Sequence, residues 1–366
     1  DAFKIMEDKG MKEALVVFYS PDSTSWRLSL LTLKKIWGEK EISDPKRYSF
    51  LLWVWEKTKT PERYLSKQIT DFDDLVSRFD VEVVRKEFFN HYLSLYIRLY
   101  KAINADTEFV RLLKSQKVDL VSFTKNLLWK IIFLYFIQKK WWLGVKKWWQ
   151  FWKDGDKNFM RNFFNDFNDK EKVVWEDTGY FYNDYLEHLF YEGLNKDNRQ
   201  EDDLSNYFNF RVPYLNGWLF KKDYENWNVN KSILSNEVFS NEKDKDGILD
   251  IFDTYNFTID EDDLYDSDIA VDPEMLGRIF EKMISISTDN IDEIVAVYDS
   301  KKKIEIDKEL NKKFGAFYTP REIVHYRTKQ SIISYLVNNL SGKKEEKEEK
   351  RKRSIWKQPT TPGLHE

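Results

Sequence analysis

Lys312 to Tyr326 reads KKFGAFYTPREIVHY, and its residue types could hold a small anion or a carboxylate-bearing ligand. Thr319 stands as an N-cap, Pro320 as a first helical residue with its φ already set, and Glu322 closes a capping box. Such a helix start presents free N–H groups and a positive dipole end. Gly315 and Ala316 let the backbone pass close to a ligand, and Phe317 and Tyr318 set two rings beside the first turn. On local physics alone, a capped helix after a tight loop is the stronger reading.

Three other groups invite chemistry. Lys139, Lys140, Lys146 and Lys147 are interleaved with Trp141, Trp142, Trp148 and Trp149, a composition suited to phosphate contact and base stacking. The competing reading is a solvated lysine face over a tryptophan-rich core edge. Glu242, Asp244, Asp246, Gly247, Ile248, Asp250 and Asp253 approach EF-hand spacing. The first and last ligands are the wrong acids, however, and the sequence assigns no metal site. Pro21, Asp22, Asp44 and Lys46 can be laid on a P-D…D-x-K nuclease pattern that would hold Mg²⁺, but Pro21-Asp22 reads as an ordinary turn.

The chain of 366 residues has room for two or three domains and a substantial core. With no cysteine it lacks disulfides and thiolate metal sites, which points to a reducing cytoplasm. A net charge of −4 argues against an electrostatic clamp on DNA along the whole chain, so any DNA contact is expected to be local. The longest apolar run, Leu127 to Ile137, is interrupted by Lys130 and falls short of the roughly 20 residues a bilayer needs. It is read as a buried helix, and no membrane partner is expected. The opening DAFKIMEDKG has no signal-peptide pattern and does not begin with Met, so the chain is expected to start inside a longer product.

The elements that must position these groups change character along the chain. Leu15 to Tyr19, Trp26 to Leu33 and Tyr48 to Val54 predict a β-hairpin and a third strand. From Phe72 the period becomes helical, with Phe88, Tyr92, Leu95, Tyr96 and Leu99 on one stripe. Further helices are predicted over Asp106–Ser115, Val121–Lys140, Asn158–Phe167, Tyr182–Leu194 and Pro273–Ile286. The last has Asp272 as its cap and Met275, Leu276, Ile279, Phe280 and Met283 on its buried side. The predicted class is α+β, mostly α-helical.

G-A-F-Y-T-P-R-E-I-V resembles the G-x-F-Y-T-P segment called motif X of adenine-specific DNA methyltransferases of the type IIG restriction–modification kind. Colinear stretches agree with it: LEHLFYEGLN from Leu186, VPYLNGWLF from Val212, ILDIFDTYNFTIDE from Ile248 and DPEMLGRIFEKM from Asp272. The resemblance implies four regions. Residues 1–68 would end a β-containing, nuclease-like or associated domain, and 69–300 would be a helical connector. Residues 301–342 would open a class I, Rossmann-like methyltransferase domain whose core is missing, and 343–366 would be a charged tail. It further implies S-adenosyl-L-methionine as cofactor, with Gly315, Ala316, Phe317, Tyr318, Thr319 and Pro320 at its pocket, double-stranded DNA as partner, and Mg²⁺ only with a nuclease domain. The D-P-x-x-G-S-G cofactor loop and the N-P-P-Y tetrapeptide of the family do not occur between Asp1 and Glu366. The chain alone is therefore expected to be inactive. Alternatives are a phage-defence methyltransferase without a nuclease and a non-catalytic helical scaffold.

The resemblance implies glycine where this sequence has Trp218 (LNGWLF for L-N-G-G-L-F), and the same is suspected at Trp53, Trp55 and Trp141. The chain has 12 glycines and 14 tryptophans, where about 7% of a usual chain is glycine. The expectation is that some tryptophans stand for UGA codons decoded as glycine; an AT-rich genome is the blander account of the low glycine count.

Overall fold

The computed structural model describes residues 2–21, 25–33, 46–53, 59–146, 155–171, 179–195, 210–215, 217–225, 234–258, 266–300, 319 and 323–339. The chain divides into two units, Asp1–Phe314 and Gly315–Glu366. The first is mostly helical with one small sheet, an α+β arrangement.

After α1 (Ala2–Asp8), strands β1 (Glu13–Tyr19), β2 (Ser25–Thr32) and β3 (Lys46–Trp53) form an antiparallel meander. A short β4 (Asp266–Asp268) adds in parallel to β3, so the order is β1-β2-β3-β4. The alternation that predicted the strands sorts their faces. Leu30, Phe50 and Leu52 enter the main core, while Leu31 and Leu33 meet Met6 of α1 on the other side. At the centre of that second face, Ser29 and Ser49 share a buried hydrogen bond of 2.8 Å, so neither hydroxyl is left unmatched.

Helices α2 (Lys59–Leu65) and α3 (Phe72–Arg78) lead into α4 (Val81–Ala105), α5 (Thr107–Ser115) and α6 (Leu120–Lys139). Asp106 and Asp119 cap α5 and α6 by accepting from Phe109 N–H at 3.0 Å and Ser122 N–H at 2.8 Å. The predicted stripe of α4 is fully buried, and α4 packs against α6. At 20 residues and mean hydropathy 1.5, α6 is long and apolar enough to cross a bilayer, which the shorter apolar run did not suggest. Here it is a core helix, buried on nearly every side.

Then come α7 (Phe159–Glu171), α8 (Ile248–Phe252), α9 (Pro273–Ile284) and α10 (Ile291–Asp299). Asp272 caps α9 through Met275 N–H at 2.5 Å, and Met275, Leu276, Ile279 and Met283 are buried as read. Phe280 is not: it is 51% exposed, its ring lying against that of Trp129. The predicted helix over Tyr182–Leu194 winds as a π-helix in two runs, Tyr182–Leu186 and His188–Leu194. Its partly exposed residues, Asp184, His188 and Glu192, recur every four positions, a polar stripe that α and π winding share, so the sequence could not tell the two apart.

In the second unit the described residues are Thr319, which is exposed, and a helix over 323–339, also exposed. No strand of a Rossmann-type sheet is present among them.

Candidate nucleic-acid interface

Of the residues assigned to the cofactor, Gly315, Ala316, Phe317, Tyr318 and Pro320 lie outside the described residues, as do Lys147, Trp148, Trp149 and Trp55. The structure does describe the lysine–tryptophan group at the end of α6. Lys140 is the helix C-cap, and Lys139 stands in the last turn, where a positive charge meets the negative end of the dipole. Trp141 follows with φ +62°, a left-handed conformation that costs an L-residue about 1–2 kcal/mol. Two hydrogen bonds hold it there. Its N–H donates to Gln138 O at 3.0 Å, and its carbonyl accepts from Gly155 N–H at 3.0 Å. The backbone at Gly155 passes so close that a Cβ there would stand 2.1 Å from Trp141 O, so only glycine fits.

The two rings do not form a core edge. Trp141 is 38% exposed and Trp142 36% exposed. Each carries a lysine over its face: Lys157 Nζ lies 4.3 Å from the Trp141 ring centre and Lys140 Nζ 5.5 Å from that of Trp142. Lys146 is exposed beside Val145, whose backbone bridges Arg211. Lys157, 16 residues beyond Trp141, escaped the sequence reading because only the fold brings it back. Trp141, Lys139 and Lys157 share the wall of a cavity of about 240 Å³ with Tyr135, Gln138 and Asn256.

The acidic stretch from Glu242 to Asp253 serves another purpose. Arg161 on α7 spans Asp253 at 2.7 Å, Asp250 at 2.8 Å and Ser240 Oγ at 2.7 Å. Asp250 also accepts from the N–H of Asn241 at 2.7 Å and of Gly247 at 3.2 Å. Against the cost of burial, these hydrogen bonds, with that from Ser240, hold its carboxyl below the ordinary range. No cluster of three metal-ligating side chains occurs among the described residues.

A second polar group lies deep in the helices. Lys130 is 1% exposed and pairs with Asp223, which also accepts from Tyr191 Oη at 3.0 Å. Glu187 is fully buried and accepts from Tyr224 Oη and from Asn183 Nδ2 at 2.9 Å. Burial pushes its carboxyl up to about 8, against the lowering effect of those hydrogen bonds and of Lys130. Burial likewise lowers Lys130, with Asp223 opposing. The break that Lys130 makes in the apolar run was the only sequence signal of this cluster.

Trp218 opens a short 3₁₀ turn and is 85% exposed; it is not among the described residues of positive φ. Trp53 ends β3.

No family model matches the chain, and no solved structure matches it. Over 228 residues, 62% of its length, the chain is 24% identical to a protein of Methanocaldococcus jannaschii provisionally named a type II restriction enzyme and methyltransferase. The match spans 16% of that protein, which marks a distant relationship over a small part of it.

Proposed function

We propose that this chain is a piece of an S-adenosylmethionine-dependent DNA adenine-N6 methyltransferase of the fused, type IIG restriction–modification kind, acting on double-stranded DNA in the cytoplasm. The observation that carries the reading is the 24% identity over 228 residues to the archaeal protein. The motif-X resemblance at Gly315–Pro320 and the colinear stretches before it support the same reading. Residues 1–68 are the end of a β-containing domain, 69–300 a helical connector, 301–342 the methyltransferase entrance and 343–366 a charged tail.

Phe317, Tyr318, Thr319 and Pro320 shape the cofactor pocket and perform no bond chemistry. Thr319 is exposed, and a helix start at Pro320, as the sequence suggests, would offer its N–H groups to the ligand. The cofactor supplies an electrophilic methyl group when bound. Neither the cofactor loop nor the N-P-P-Y tetrapeptide lies within this sequence, so the chain's own contribution is to position DNA and to complete the pocket. Lys139, Lys140, Lys146 and Lys147 give it a local phosphate contact.

The test is a mobility shift with a 30-bp duplex over a salt series, beside a methyl-transfer assay with radiolabelled cofactor. The full chain should bind duplex at low salt and transfer no methyl groups. Replacing the four lysines by alanine should flatten the salt dependence by about one unit of slope for each phosphate that is no longer neutralised. Methyl transfer by the chain alone, or no duplex binding at low salt, would overturn the reading.

A further inference from the structure

The conformation of Trp141 asks for a reason. Its ring is exposed, so packing does not offset its left-handed backbone, and the Gly155 crossing fixes it at the mouth of the cavity. Lys117, just after α5, and Lys245 share the left-handed φ, so the conformation alone marks no site; what sets Trp141 apart is an exposed ring on the wall of the cavity. The geometry points to this cavity as the seat of one unpaired nucleobase of a DNA strand, stacked on the Trp141 indole, with the strand's phosphates outside along Lys139, Lys140 and Lys146. This rests on the DNA-binding reading above and names the form of DNA that it takes.

The cavity's size and lining select that ligand. At about 240 Å³ it is smaller than the roughly 300–1,000 Å³ of pockets that enclose drug-sized molecules, which suits a single base. Gln138, Asn158 and Asn256 supply amide side chains around it, and Tyr135 and Phe257 supply ring walls. Two carboxylates also line it, but Asp253 is matched by Arg161, and Asp156 accepts from Asn158 N–H at 2.8 Å and Asn162 Nδ2 at 2.6 Å. Lys139 and Lys157 line it as well, so cationic side chains meet the strand's phosphates while the rings and amides meet the base. Lys157 Nζ lies 4.3 Å from the indole centre and covers one face of the ring, so the base stacks on the other.

The test measures fluorescence anisotropy of a labelled 12-nucleotide single strand and of a fully paired 12-bp duplex, with the full chain and with Trp141→Gly and Trp141→Phe. Trp141→Gly should weaken single-strand binding about tenfold, the loss of one stacked base, and leave duplex binding unchanged. Trp141→Phe should stay within about threefold of the original, since it keeps a stacking ring. Glycine relieves the strained φ, so a melting temperature at or above that of the original chain separates lost binding from lost folding. Equal single-strand affinity for the original and Trp141→Gly removes the pocket while leaving a DNA-binding protein. Binding of neither probe by the original chain removes both readings.

Discussion

Replacing Glu187 by glutamine isolates one buried charge and turns its burial into a pH profile. The carboxyl lies beneath Tyr224 and Asn183 with no exposed surface, and burial lifts it from an ordinary 4.5 to about 8. The folded state therefore binds this proton more tightly than the unfolded chain does. The stability it contributes is fully present below pH 4.5 and is lost as pH rises toward 8. At about 1.4 kcal/mol per pH unit, the loss between pH 5 and pH 7.5 is about 3 kcal/mol, within a ceiling of roughly 5 kcal/mol for the whole interval. Glutamine keeps an acceptor for the Tyr224 hydroxyl and does not titrate. Urea unfolding at half-unit steps from pH 5 to 8.5 should show the variant gaining on the original chain at every step, because groups common to both cancel in the difference. A difference that stays flat with pH would refute the reasoning. It would mean that Glu187 is ionised in the fold throughout, with Lys130 and its hydrogen bonds balancing the burial.

Arg161→Ala should cost about 3 kcal/mol by chemical denaturation, because it leaves the buried Asp253 and the largely buried Asp250 without their shared cation. Gly155→Ala should cost about 3 kcal/mol, the upper end for overpacking, since the added methyl meets backbone atoms of Trp141 and Leu143 that cannot swing aside. Trp141→Gly should raise stability by about 1 kcal/mol in the same assay through relief of the left-handed strain. Trp218→Gly should raise nothing, because Trp218 has no such φ to relieve.

The sequence exposed those parts of the fold in which one face differs from the other. Strands β1 to β3 alternate, the Phe88–Leu99 stripe repeats at helical spacing, and Asp106, Asp119 and Asp272 sit just where their helices start. Asp272 reads as a cap because its signal is local; Asp106 reads as the first residue of its helix, and Asp119 is not singled out. A linear reading fails where a pattern fits two geometries or partners are remote. The Asp184–His188–Glu192 stripe fits α and π winding alike, and Phe280 has the spacing of a core residue but the surroundings of a half-open one. The Arg161 fork joins α7 to carboxylates about 90 residues away, so the same acids seen alone resembled a calcium loop.

The tryptophans show how far composition can be taken before geometry must decide. Scarce glycine and abundant tryptophan raised one suspicion over several positions at once, yet the structure treats those positions differently. At 141 the backbone is left-handed and pinned by a glycine that admits no Cβ, the setting in which glycine relieves strain. At 218 the side chain stands in solvent on an ordinary backbone, where tryptophan strains nothing. Glycine would therefore relieve backbone strain at 141 and none at 218. The tryptophan that is strained is also the one beside the cavity and under a lysine. Stability and binding thus pull position 141 toward different residues, and a variant that gains the first while losing the second identifies Trp141 as a residue kept for its ring.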